Sequence, residues 1–106
     1  MSEPYKLFPN LADLAPAVPE ASILSRTFYK DDRLSAVLFS FAAGEELSEH
    51  TSAFPGVLHF LSGRARLRLG NDETTVEAGA WAHMTPNLPH TVVAETDVVM
   101  LLLLLR

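Results

Sequence analysis

HTSAFPGVLHFLSGRARLRLGND, residues 50–72, decides the fold class. Val57 to Leu61 is a short apolar run, Ser62-Gly63 interrupts it, and Ala65 to Leu69 follows as a second run. In that second run Arg64, Arg66 and Arg68 alternate with Ala65, Leu67 and Leu69, the two-residue period of a strand with one wet face. Gly70-Asn71-Asp72 then supplies residues that tolerate positive φ, as a tight hairpin needs. Strand, turn, strand and turn within 23 residues leave no room for a helical period.

Working outward, the same rhythm continues. Apolar runs fall at Ile23 to Phe28, Leu34 to Ala42, Thr74 to Glu77, Ala80 to Met84, His90 to Ala94 and Val98 to Leu105. With the two central runs that makes eight short strands at spacings of about 8–12 residues, which predicts an all-β sandwich or barrel. Residues 1–22 differ, holding four of the seven prolines (Pro4, Pro9, Pro16, Pro19). They read as an extended N-terminal arm, in which Asn10 caps a single helical turn over NLADL. The predicted division is a Pro-rich arm, 1–22, and a β-domain, 23–106.

Composition narrows the chemistry. No cysteine is present, so disulfides, thiolate metal sites and thiol nucleophiles drop out together. A net charge of −5 with eight Lys+Arg and no basic run argues against nucleic acid or an anionic membrane as partner. A small molecule remains. The N-terminus MSEPYKLFPN lacks the basic start and apolar core of a secretion signal, and VVMLLLLL, Val98 to Leu105, is too short to cross a bilayer. A cytoplasmic protein is the expectation. That last run is apolar at every position, so both faces of the strand must be covered. A homodimer supplies the outer cover; an N-terminal arm folded over the strand is the alternative.

Four histidines carry the candidate chemistry: His50, His59, His83 and His90. His50 follows GEELSE and His90 follows TPNLP, so both stand where a loop feeds a strand, at a barrel mouth. If position 56 faces the interior, so do Leu58 and Phe60, and His59 faces out unless a bulge at Pro55-Gly56 reverses the parity. His59 and His83 then form a pair on the outer face. Glu45, Glu46 and Glu49 precede His50 and read as a solvated acidic loop, with a carboxylate ligand as the less ordinary role. Trp81, in an apolar strand, reads as core or interface packing, and the three arginines as a solvated face.

Gly44, five residues, His50, then Gly63 after an apolar strand, and later Gly79 and PNLPH ending at His90, resemble the two motifs of the small single-domain cupins. The first motif runs G-x5-H-x-H-x3,4-E-x6-G; the second resembles G-x5-P-x-G-x2-H-x3-N. The resemblance covers about residues 34–105. It implies a double-stranded β-helix, or jelly-roll barrel, and a metal held by His50 and His90 with two further ligands. Those two positions fall on Ser52 and Gly56, while the second motif's proline, glycine and asparagine fall on Thr85, Asn87 and Ala94. A divalent metal (zinc, iron, nickel, manganese or copper) on His50 and His90, with His59 if it turns inward, is therefore one reading, and its chemistry would be that of a metal-dependent oxygenase or isomerase. A metal-free cavity lined by Ser52, Leu58, Phe60 and Met84 that binds a small molecule is the second. A purely structural barrel is the third.

Overall fold

A computed structural model describes residues 4–106; the first three residues of the arm, 1–3, lie outside the described residues. The chain is an all-β barrel of two facing antiparallel sheets. Among the described residues its nine strands are β1 (Ile23–Lys30), β2 (Leu34–Phe41), β3 (Glu46–His50), β4 (Gly56–Ser62), β5 (Arg64–Leu69), β6 (Asp72–Glu77), β7 (Trp81–Met84), β8 (His90–Ala94) and β9 (Val98–Leu105). One sheet runs β1-β2-β9-β4-β7, the other β3-β8-β5-β6. Eight strands match the apolar runs of the sequence. The ninth, β3, does not, because only Leu47 in it is even partly buried. A strand at a sheet edge with four exposed side chains carries no hydrophobic period to read.

Strand alternation builds the core. On the inner face of the large sheet, Phe41, Leu58, Phe60, Val98 and Met100 meet Ala65, Leu67, Val92 and Ala94 of the small one. Arg64, Arg66 and Arg68 lie on the opposite, wet face, where Arg64 pairs with Glu95 at 3.1 Å and Arg66 with Glu73 at 3.6 Å. The hairpin joining β5 to β6 places Leu69 opposite Asp72, and of the three predicted turn residues Gly70 takes the positive φ, 61°.

The arm settles part of the question raised by the all-apolar β9. Asn10 caps a 3-10 turn over Leu11–Leu14, its side chain accepting from Ala12 N–H at 3.0 Å. Phe8 meets Phe28 edge-on, with ring centroids 5.1 Å apart, and Phe28 is the residue that a register shift in β1 leaves unpaired. Phe8 and Leu11 share one hollow with Leu34, Ala36 and Leu103, all on the outer face of the large sheet. On that face Leu38 is 0% and Leu101 8% exposed in the single chain. The arm thus lies over part of the face that a second copy was expected to cover. Among the described residues no helix is long and apolar enough to cross a membrane.

Candidate functional site

His90 is the first residue of β8, on its inner face, and faces Leu69 of β5 and His50 of β3. Simple alternation would turn His50 the other way: Leu47 pairs with Val92 and points inward, which puts position 50 outside. The register shifts between Leu47 and His50, so that two residues of β3 stand opposite one of β8. That extra residue brings His50 directly opposite His90. The imidazole centroids are 4.0 Å apart, tilted by 59°.

Both rings are anchored the same way. His50 Nδ1 lies 2.8 Å from the Ser48 carbonyl and His90 Nδ1 3.0 Å from the Leu88 carbonyl. A carbonyl only accepts, so each Nδ1 carries the proton and donates, leaving each neutral ring a lone pair on Nε2. Burial holds His90 below the usual histidine range; the Leu88 carbonyl opposes that shift and the neighbouring His50 adds to it. With Nδ1 donating to a carbonyl in both rings, Nε2 is the position left to accept from a ligand.

The turn that carries His90 to its place is Thr85-Pro86-Asn87-Leu88. Pro86 in its second position and Asn87 at φ 65° in its third are what a type II turn requires, and Leu88 N–H donates to the Thr85 carbonyl at 3.3 Å. Asn87 N–H also donates to the Ser52 carbonyl at 2.7 Å, tying this turn to the loop before β4. Asparagine is the residue besides glycine that most readily accepts this backbone.

The histidines open into a cavity of about 340 Å³ at the barrel mouth. Of the expected lining, Ser52 and Met84 border it. Leu58 and Phe60 face the same interior but are packed in the core. Alternation along β2 and β9 makes Phe39, Leu102 and Leu104 the opposite wall, and Phe54 comes from the loop. The first three follow from strand parity; for Phe54 the sequence holds no signal. Among the described residues, no Asp or Glu lines the cavity.

His59 stands apart. The ladder from Gly56 to Phe60 is unbroken against β9, so no bulge at Pro55-Gly56 reverses it, and His59 lies on the face opposite Leu58 and Phe60. Its register partner on β7 is Trp81, while His83 pairs with Val57, so His59 and His83 are diagonal neighbours rather than direct partners.

The four-ligand set that the motifs imply does not fit this cavity. Among the described residues no three His, Cys, Asp or Glu side chains come together, and Glu45, Glu46 and Glu49 join no such group. At Gly56, where the motif has glutamate, a Cβ would lie 3.3 Å from Met84 Cε and 3.4 Å from the Leu103 carbonyl oxygen. A side chain there would push the Met84 methyl aside by a few tenths of an ångström.

Comparison with known proteins agrees with the architecture. A family model described as the cupin domain matches residues 37–105. No curated protein matches the chain in sequence. Among solved structures, a cupin superfamily protein from Desulfitobacterium hafniense is 25% identical with a TM-score of 0.84, over 96% of this chain and 93% of that one. A cupin 2 conserved barrel domain protein from Leptotrichia buccalis is 30% identical with a TM-score of 0.83 over 92% of this chain, which spans 47% of that one. A salicylate 1,2-dioxygenase from Pseudoaminobacter salicylatoxidans, 17% identical with a TM-score of 0.75 over 89% of this chain and 28% of that one, shares the fold. With its two histidines facing across the mouth of a jelly-roll barrel and two thirds of its length matched by the family model, the chain belongs to the cupin domain family.

Proposed function

We propose that the cavity binds a small, largely apolar molecule through a hydrogen-bond donor, a hydroxyl or N–H, that His50 and His90 accept. The observation that carries this reading is the double anchoring of Nδ1, which leaves two acceptor nitrogens at the polar end of an otherwise apolar cavity. A ligand cation would have no carboxylate among the lining residues to pair with, and a donor-free apolar molecule would leave both acceptors unsatisfied. Under this reading the protein is a sensor or carrier, and no residue is assigned a catalytic role. The test is a matched pair of probes, p-cresol against its methyl ether, titrated by calorimetry. One net hydrogen bond of about 0.5–1.5 kcal/mol corresponds to a preference for the phenol of about two- to tenfold. The preference should vanish in His50→Ala and His90→Ala; equal binding of phenol and ether by the native chain contradicts the reading.

The second reading is a metal on the same pair. A histidine whose Nδ1–H is tied to a carbonyl has its Nε2 set for coordination. Such a two-imidazole site would hold a divalent ion weakly, with water completing the shell. Elemental analysis of untagged protein, with His50→Ala and His90→Ala alongside, decides it: stoichiometric metal in the native chain and none in the variants is the expected pattern.

We also propose a homodimer, through the large sheet's outer face at its β7 edge. Trp81 is 62% exposed there, beside His59 and away from the arm.

A further inference from the structure

We propose that the apolar part of the ligand is an aromatic ring, selected by Phe54, and that Arg106 positions Phe54 for it. The inference rests on the small-molecule reading above and names its ligand class: an aromatic molecule bearing a hydroxyl or N–H, a phenol rather than a saturated alcohol. Phe54 borders the cavity from the loop between β3 and β4, yet it is 42% exposed. A ring half covered at a cavity mouth offers the rest of its surface to whatever enters.

The loop that carries this ring is tied on both sides. The Ser52 carbonyl accepts from Asn87 N–H at 2.7 Å and the Pro55 carbonyl from Leu105 N–H at 3.0 Å, which fixes it to the β7–β8 turn and to the end of β9. Between those ties, Phe54 N–H donates to Ser52 Oγ at 3.2 Å. The Phe54 ring has a cation over it, with the Arg106 guanidinium carbon 5.5 Å from the centroid. That guanidinium is anchored in turn: it donates to the Asp31 carbonyl at 3.2 Å and to the hydroxyl of buried Ser35. Arg106 thus links the turn between β1 and β2 to the aromatic wall of the cavity.

A cation over an aromatic face is attracted to the ring's negative quadrupole and offsets part of it, so a second, electron-rich ring is repelled less. Phe39 and the imidazoles of His50 and His90 present further planar surfaces in the same cavity. Ring pairs of this kind add to area burial by an amount equivalent to about two- to tenfold in affinity. A saturated ring of similar size buries comparable apolar area and gains none of it.

The test is calorimetric titration of the untagged chain with p-cresol and with its fully hydrogenated form, which keeps the hydroxyl and the methyl on a saturated ring. The native chain should prefer p-cresol. A phenol is also the stronger donor, so the deciding quantity is the change in that preference on substitution. Phe54→Leu, at a half-exposed position, should lower the preference by about twofold or more while p-cresol still binds better than its methyl ether. Arg106→Met, which removes the charge and keeps an unbranched chain, should lower it in the same direction, and Arg106→Lys should restore part of it. A merely structural role for Arg106 would weaken both ligands alike and leave the preference unchanged. An unchanged preference in Phe54→Leu overturns the proposal, and a fall in Phe54→Leu without one in Arg106→Met overturns the role of Arg106. Ring preference that depends on Phe54 without any preference for phenol over ether sinks the histidine reading alone. Preference for phenol over ether with no effect of Phe54→Leu sinks ring selection alone, and a native chain that binds neither ligand overturns both.

Discussion

His90 couples the site to folding. Burial favours its neutral form, so its folded pKa lies below the value of about 6.5 expected in the unfolded chain. Between those two values the unfolded chain binds more protons than the folded one, and stability falls as the solution is acidified through that window. The urea midpoint at pH 5.5 should be lower than at pH 7.5, and His90→Gln should flatten that difference; an unchanged slope in the variant would assign it to other groups. Asp31, held below its usual range chiefly by the Tyr29 hydroxyl, titrates in a separate, more acid window. Backbone strain gives a second prediction. Gly63 sits at φ 85°, and a Cβ there would lie 2.1 Å from the Asp97 carbonyl oxygen. Gly63→Ala should therefore cost about 3 kcal/mol or more in urea unfolding, from strain and clash together. Asn87→Gly, by contrast, should stay within about 1 kcal/mol of the native chain, because both residues accept the turn's positive φ. Gly63 and Asn87 were legible as motif positions, but the reason for the first, a carbonyl from the loop between β8 and β9, is a tertiary contact that no local pattern announces.

At the level of elements, the pairing of β4 with β7 shows how a metal site can be closed by packing. Gly56 and Met84 are register partners, and the methionine's methyl stands 3.3 Å from where a Cβ at position 56 would lie. Gly56→Glu should force Met84 aside and place an unpaired carboxylate against Leu102 and Leu104, a loss of about 1–3 kcal/mol. Zn(II) should restore part of that loss: the melting temperature should rise with zinc far more in Gly56→Glu than in the native chain. An equal rise in both would mean that position 56 does not reach the histidines. No such pattern marks β3. Eight strands are legible as apolar runs, whereas β3 has one half-buried residue and carries no run at all. Its shift in register is what turns His50 inward, and a parity count across residues 47–50 puts that side chain on the wrong face. His59 shows the opposite case: its ladder is regular, and alternation sets it on the face opposite Leu58 and Phe60.

For the whole molecule, the fully apolar β9 poses the question of how many layers the barrel has. Its inner residues Val98 and Met100 are core, and its outer Leu101 is already buried in the single chain, with the arm lying over the neighbouring Ala36 and Leu103. In the proposed dimer a second copy would cover only what lies beyond the arm's reach, at β7, where an exposed tryptophan stands at the sheet edge. An unpaired edge strand with a large exposed aromatic is an ordinary place for two sheets to meet. Sedimentation at tens of micromolar should give the mass of a dimer, and Trp81→Lys should give a monomer. Because Trp81 lies on the outer face and the cavity opens on the inner one, that variant should leave p-cresol affinity within about twofold, as expected for separated sites. A monomeric native chain would leave the arm as the sole cover of this face. Loss of ligand binding in monomeric Trp81→Lys would instead tie the cavity to the assembly, through the β4–β7 ladder that carries Gly56 and Met84 on one face and His59 and Trp81 on the other.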